Sequence, residues 1–453
     1  MAYLQGINNA VWGVPTLVLI MGVGILLTVI TRFAQIRYLP QALKAFLKLR
    51  NDESDTGKGQ SPFRALCTAL AATVGTGNLA GVAGAIAIGG PGAVFWIWVG
   101  GILGMATKFA EAILSVHYRK IGANGEYLGG PMYVITGGLS KRFHFLAYLY
   151  AFFGVVAAFG VGNATQINTV IGGVDSVLIY LGKEPSIGVN VVLGILMASL
   201  TAILFFGGAK RIGSAAETIV PFASVLYVIL GVGVFAFRYK AIPQVIGQIC
   251  EGAFDPMAVT GGMVGSMLIA LRIGASRGVF TNEAGMGTAG IAHASANVQH
   301  PVEQGLMGIV EVFIDTIVIC TITAIVILCS GVSIDYGHDT GILLTAQAFS
   351  SVYGGWITIL LTATLCIFAF ATVLGWGLYG ARCAQFLFGE RVWGTFSVIQ
   401  AITVLVGAVL ETKTVWLLAD IVNGLMAIPN LIAMFILMPK VRKLVQQYDK
   451  IKE

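Results

Sequence analysis

The chain has 453 residues, 57% of them hydrophobic and 11% charged, with a mean hydropathy of +0.86 and a formal net charge of +6. Soluble domains carry about 25% charged residues, so this sequence lacks the charge to wet the surface of a globule its size. A water-soluble enzyme, a nucleic-acid binder and a disordered scaffold are excluded, which leaves a polytopic all-α membrane protein.

Measured against the roughly 20 apolar residues that cross a bilayer, the chain offers eleven predicted spans. They run at about 11–34, 62–86, 92–117, 144–172, 187–206, 214–237, 256–281, 304–330, 353–381, 391–410 and 414–438. No stretch alternates polar and apolar residues in the manner of a β-barrel. The loop after the first span carries Arg32, Arg37, Lys44, Lys48, Arg50, Lys58 and Arg64. On alternation, the same side also collects Arg119, Lys120, Lys141, Arg142, Lys210, Arg211, Arg382, Arg391 and the basic tail. Only Lys183, Arg238, Lys240 and Lys413 fall opposite. Cytoplasmic loops are enriched in Lys and Arg, so a cell-membrane protein with its N-terminus outside and C-terminus inside is expected. The six cysteines show no metal-ligand or redox spacing and read as small buried thiols.

Setting residues 1–60 aside as an extra helix and a basic loop, ten spans remain. They divide into 61–240 and 241–440, followed by a basic tail at 441–453. Two sets of five must face opposite ways, the arithmetic of a five-plus-five inverted transporter repeat. In such folds the first helix of each half is broken. The first half offers Thr73-Val74-Gly75-Thr76-Gly77-Asn78, a run of poor helix formers in mid-span. The second offers glycine-rich 260–266 followed by Arg272-Ile273-Gly274-Ala275-Ser276, so its break is expected within 261–276. Backbone unwinds in a bilayer only where its freed groups find partners. Freed amides suit a carboxylate, freed carbonyls a cation, and the oxygens of Thr73, Thr76 and Asn78 are hard ligands suited to Na⁺. A tight helix crossing through Gly77 and Gly81 is the competing reading.

Further along, Asn163 and Gln166 share a face of the fourth span, within reach of a ligand or of a neighbouring helix. Trp376 shares a face with Thr372 and either caps a small pocket or packs. Lys108 and Glu111 read as a local ion pair. Glu311 and Asp315 are expected to neutralise Arg272 or Arg277, or alternatively to relay protons, and Asp420 to act similarly. His293 is expected in a solvated loop.

The run TVGTGN-LAGVA resembles the first broken helix of the sodium-coupled leucine-transporter fold of the APC superfamily. Gly89–Val99, Arg277–Gly287 and Phe368–Trp376 are similar to signatures of the alanine or glycine:cation symporter family. Ile97 and Gly101 depart from the usual residues by small apolar changes. The resemblance implies Na⁺-coupled uptake of alanine, glycine or a similarly small amino acid, with no organic cofactor. It implies Na⁺ on the carbonyls of Ala71 and Val74 and the hydroxyl of Thr372, for which Thr362 and Thr364 compete. Thr73 and Asn78 would serve a second cation. The substrate carboxylate would meet the amides of Gly75, Thr76 and Gly77, with Asn163, Gln166, Gly265, Ser266, Gly274 and Trp376 completing the pocket. A proton-coupled transporter using Glu311 or Asp315 is the alternative. An intramembrane enzyme finds no support in HExxH or GxSxG motifs.

Overall fold

The computed structural model describes residues 2–49, 59–123, 125–264, 266–338, 341–410 and 412–452. Among them, eight helices are long and apolar enough to cross a membrane, and a ninth arises from a pair bent by 49°. Two shorter elements complete eleven spans. The first is Val14–Ile30, preceded by Ala2–Val11. The second is the bent pair, Pro62–Thr73 and the segment from Gly77 to Gly89. The third is Gly92–His117, the fourth Phe145–Phe159 continuing through Thr165–Tyr180, the fifth Ile187–Phe205 and the sixth Gly208–Arg238. The seventh joins Met267–Asn282 to Thr288–His293. The eighth runs from Pro301–Val312 to Thr321–Cys329, the ninth is Ile357–Phe388, the tenth Val392–Gly407 and the eleventh Thr412–Lys452.

The burial pattern is that of a bundle solvated by lipid. Spans two, three, eight and nine are mostly buried, whereas span five shows Ile195, Leu196 and Ile203 to its surroundings and span six shows Phe222, Val225 and Ile229. Apolar side chains on the outside and paired polar groups inside are what a hydrocarbon solvent selects.

Several elements lie beyond the eleven predicted spans. Ile242–Phe254 and Ile342–Tyr353 are helices on connections. A two-stranded hairpin pairs Lys120–Ile121 with Tyr127–Leu128 after span three. The basic tail is helical over residues 441–452: the last helix continues through them because Val441, Leu444, Val445 and Tyr448 repeat at helical spacing and are buried. Tyr38 donates to Asp449 there, tying the end of the chain to the segment after span one.

The second half interrupts its helix twice, first within the expected 261–276. There the chain leaves helix between Thr260 and Met267, and Met267–Asn282 is continuous through Gly274. The further interruption, at the depth of the one in the first half, is at 283–287.

Candidate functional site

The first interruption follows from local sequence. Val74 has extended backbone (φ −78°, ψ 97°), and its N–H makes the last helical bond, to the Leu70 carbonyl at 2.8 Å. In an unbroken helix the Gly75 N–H would go to the Ala71 carbonyl. It goes instead to Asn78 Oδ1 at 2.8 Å, which releases that carbonyl from its helical donor. Asn78 Nδ2 donates to Asp315 Oδ1 at 2.7 Å and to the Asp315 carbonyl at 3.2 Å. Asn78 therefore staples the break to span eight, where the helix widens to π geometry over Phe313–Cys320. Such widenings concentrate at functional sites.

The second interruption is held from other directions. Glu283 takes a left-handed backbone (φ 54°), and Gly285 and Gly287 follow at φ 94° and 77°. Glycine enters that region without strain, and at Gly287 a side chain would also meet Pro131 at 2.3 Å. Glu111 Oε1 accepts the N–H of Gly285 at 2.9 Å, the N–H of Gly287 at 3.0 Å and Asn430 Nδ2 at 2.8 Å. Asn282 Nδ2 donates to Thr316 Oγ1 at 3.0 Å, beside Asp315. One carboxylate on span three and one amide on span eleven thus replace the helical ladder that the break gives up.

The two interruptions meet at a pocket. Thr73, Gly75, Thr76 and Gly77 line one side, Phe280 and Glu283 the other. Span four adds Gln166; span nine adds Thr372 and Trp376. Thr76 Oγ1 donates to Gln166 Oε1 at 2.9 Å, and Gln166 Nε2 donates to the Val161 carbonyl at 3.0 Å, inside a π-widened stretch at Gly160–Ala164. A side chain on Gly75 would reach 2.4 Å from Thr372 Oγ1, so the glycine is required for span nine to approach the break. The Glu283 carboxylate accepts from Thr288 Oγ1 at 2.5 Å. The cavity is about 10 Å³, space for about one water. Even the smallest amino acid must part these walls to enter. The Phe280 ring is backed by Trp416 at 5.4 Å between centroids.

Of the expected residues, Thr73, Gly75, Thr76, Gly77, Gln166, Thr372 and Trp376 come together here. Ala71 and Val74 flank the break, both buried. Others lie elsewhere. Asn78 spends both ends of its amide on the staple and does not line the pocket, and the Gly75 N–H is already taken by it. Asn163 pairs with Gln400, whose Nε2 donates to Asn163 Oδ1 at 2.7 Å, so it joins spans four and ten. Gly274 allows close helix packing, since a side chain there would meet the Ala93 carbonyl at 2.4 Å. Ser266 precedes the first turn of Met267–Asn282, away from the pocket; Gly265 lies outside the described residues. Thr362 donates to the Gly173 carbonyl and Thr364 to the Leu360 carbonyl.

The charged residues are also rearranged. Lys108 Nζ pairs with Glu311 at 3.1 Å rather than with Glu111, both side chains wholly buried. His293 is not solvated. It is fully buried, with Gln304 donating to Nδ1 at 2.7 Å, which leaves Nε2 to donate to Glu311 at 2.8 Å. Asp315 serves Asn78 rather than an arginine, and Arg277 pairs with Asp420 at 3.9 Å. Glu283 was missed as a site residue. Its signal was in the sequence: a carboxylate between an asparagine and two glycines, within the quoted Arg277–Gly287 stretch.

Two interrupted helices packed face to face, surrounded by spans that satisfy their freed backbone, define a multi-pass membrane transporter. A solved structure, "Crystal structure of MhsT in complex with L-phenylalanine", shares this fold at a TM-score of 0.58 and 13% identity, over 86% of this chain and 99% of that one. The chain is 42% identical to the sodium/alanine symporter AgcS of Methanococcus maripaludis, covering 99% of this chain and 97% of that protein. It is 36% identical to the probable sodium/glutamine symporter GlnT of Bacillus subtilis, over 98% and 90%. The family model described as "Sodium:alanine symporter family" matches residues 1–453, and the chain belongs to that family. It is a Na⁺-coupled amino-acid symporter and not an enzyme.

Proposed function

We propose that the protein imports a small neutral amino acid, alanine or glycine, with Na⁺ by alternating access. The observation that carries this reading is the pocket where both interruptions meet, walled by Phe280 and Trp376 with space for about one water. A pocket that must widen for any occupant favours the smallest, because each further methylene meets an aromatic wall. The substrate ammonium faces Glu283 and Gln166, and its carboxylate faces the amides of Thr76 and Gly77. Na⁺ takes the carbonyls of Ala71 and Val74 and the hydroxyl of Thr372. Residues 61–240 and 241–440 form the inverted pair that rocks around this site. The Lys/Arg-rich face is cytoplasmic, which puts the N-terminus outside and the C-terminus inside. The relatives' printed substrates, alanine and glutamine, set the question of size.

Proteoliposomes with an inward Na⁺ gradient test the reading. They should concentrate labelled alanine or glycine, less so glutamine, and lose uptake when K⁺ replaces Na⁺. Accumulation driven by a pH gradient without Na⁺, or a preference for glutamine, would overturn it.

A further inference from the structure

Asn423 of span eleven is 1% exposed, and neither its Oδ1 nor its Nδ2 has a hydrogen-bond partner. Among the described residues it is the one buried amide with both ends unbonded. Asn78, Asn163, Gln166 and Asn282 use both of theirs. Stripping an amide of water without replacing its bonds is unfavourable, so such a group calls for a partner.

Its place follows from helical register. Trp416, Asn423 and Asn430 recur every seven residues, two turns, and so share one face of Thr412–Lys452. Trp416 lies against Phe280 at 5.4 Å between ring centroids, on the side of the pocket away from the basic face. Asn430 donates to the Gly285 carbonyl at 2.9 Å, on the side towards it. Asn423 is therefore level with the stretch of span seven between Phe280 and Gly285, which holds Glu283. Residues one turn away fix its direction. Asp420 pairs with Arg277 of span seven. Ala419 and Met426 instead face span four, 4.0 Å and 3.9 Å from where side chains on Gly160 and Gly154 would stand. Gly424 turns away, onto Val11 and Trp12 of the first helices. Asn423 thus projects into the seam between spans four and seven, the seam from which Val161 and Glu283 line the pocket. The walls must part for any occupant, and a pocket that widens along this seam reaches Asn423.

An amide with both ends free selects its partner. An ammonium only donates and a carboxylate only accepts, so either would leave one end of Asn423 unbonded. A hydroxyl does both, donating to Oδ1 while accepting from Nδ2. A primary amide does so too, but it is bulkier, and the pocket has space for about one water. Serine differs from alanine by a single oxygen.

We infer that Asn423 is a specificity-determining residue for the substrate side chain, and that small hydroxylated amino acids, serine above all, are substrates. The serine hydroxyl bonds both ends of the Asn423 amide while its ammonium and carboxylate keep the partners given above. The inference rests on the transport reading and adds to it the side-chain chemistry the site recognises.

Competition uptake in proteoliposomes, with labelled alanine and an inward Na⁺ gradient, tests it. The competitors are serine and α-aminobutyrate, which match in size and differ by a hydroxyl against a methyl. The wild type should prefer serine at least about tenfold, because an analogue that cannot bond the buried amide leaves it unpaired. Asn423→Leu should lose that preference, and its residual alanine uptake shows that it is folded. A wild type that ranks the two competitors alike, or prefers α-aminobutyrate, overturns the inference whatever the variant does. So does Asn423→Leu with the wild-type preference intact. A parallel loss of alanine and serine uptake in both Asn423→Leu and Asn423→Ala makes Asn423 a structural residue and overturns it as well. A wild type that accumulates neither alanine nor glycine overturns the transport reading itself.

Discussion

Asn78→Asp is the sharpest probe of the first break, because it changes one atom of the staple. The new side chain keeps the oxygen that accepts the Gly75 N–H. It replaces the donor facing Asp315 Oδ1, at 2.7 Å, with a second oxygen. Two ionised carboxylates at that distance repel by about 6 kcal/mol at an effective dielectric of about 20. The pair escapes by sharing one proton, which restores the hydrogen bond. Supplying that proton costs at most about 4 kcal/mol at pH 7 and about 1.5 kcal/mol at pH 5, the values for a carboxylate of ordinary acidity, since burial favours the protonated form. Uptake by Asn78→Asp should therefore be severely reduced at pH 7 and recover by up to about a hundredfold towards pH 5, relative to wild type at each pH. Asn78→Ala loses both bonds and should show no acid rescue. The assay is initial-rate amino-acid uptake in proteoliposomes at fixed Na⁺ gradient. Wild-type uptake by Asn78→Asp at pH 7, or a deficit that acid does not relieve, refutes the staple.

Glu111→Ala orphans three buried donors and should lower stability by about 3–6 kcal/mol, whereas Glu111→Gln keeps an acceptor and should lose about 1–2 kcal/mol; thermal melting of the purified variants separates the two. Phe280→Ala should relax discrimination between alanine and valine at least about tenfold in competition uptake, and unchanged selectivity would remove Phe280 from the wall. Burial holds His300 below the usual histidine value of 6.5, in keeping with its neutral Nδ1 accepting the Val302 N–H at 3.3 Å. Because the folded state favours the neutral ring, this stability is full above that usual value and is lost as pH falls through the lower folded one. Melting temperature should drop on acidification, and His300→Asn, which caps without titrating, should flatten the drop. Arg119→Ala removes a guanidinium that donates to the Ala294 and Ala296 carbonyls. It should speed hydrogen exchange at the Gln60 and Asn297 amides at least about tenfold, since the charge-assisted bonds beside them are each worth about 1.5–3 kcal/mol. Exchange unchanged at both positions would count against Arg119 as a tie.

What the sequence disclosed, and what it hid, divides along physical lines. Spans were legible because lipid imposes a length and an apolarity that any window detects. The first break was legible because TVGTGN concentrates poor helix formers where nothing else explains them. In the second half the glycine-rich 260–266 was legible, whereas the further interruption at 283–287 was not. Glycine density marks where a chain leaves helix, but both stretches do so, and only packing against Gly75–Gly77 selects the functional one. Ion pairing was misread for a related reason. Lys108 and Glu111 are neighbours along one helix, so local spacing favours them. Span eight instead brings Glu311 to the lysine, and Glu111 turns to amides nearly two hundred residues away. Asn163 and Gln166 look alike in sequence, yet one faces Gln400 and the other the pocket, a distinction made by a π turn that periodicity does not reveal.

The contacts also say which side of the pocket is closed. On the basic face, the Gln60 N–H bonds the Ser295 carbonyl at 2.9 Å and the Asn297 N–H bonds the Gln60 carbonyl at 2.8 Å, joining the chain that enters span two to the chain that leaves span seven. Arg119 spans the same join, its guanidinium 3.7 Å above the Tyr127 ring of the hairpin. On the other face, among the described residues, the aromatic pair Phe280 on Trp416 and the Arg277–Asp420 pair lie above the pocket, with a cavity of about 540 Å³ beyond. An aromatic pair parts for about 0.5–1.5 kcal/mol beyond its buried area, whereas the basic face must break backbone and charge-assisted bonds together. Access from the cavity side is therefore the easier step, and opening towards the basic face is the one that needs an external driving force. A Na⁺ ion crossing with the potential contributes about 2.3 kcal/mol per 100 mV in addition to its concentration gradient. That is comparable to one of the Arg119 bonds, so the ion shifts this equilibrium rather than overwhelming it. Both interrupted helices reach the join, span two at Gln60 and span seven at Ala294–Asn297. An occupant that straightens or reorients either break acts directly on the bonds that keep the basic face shut.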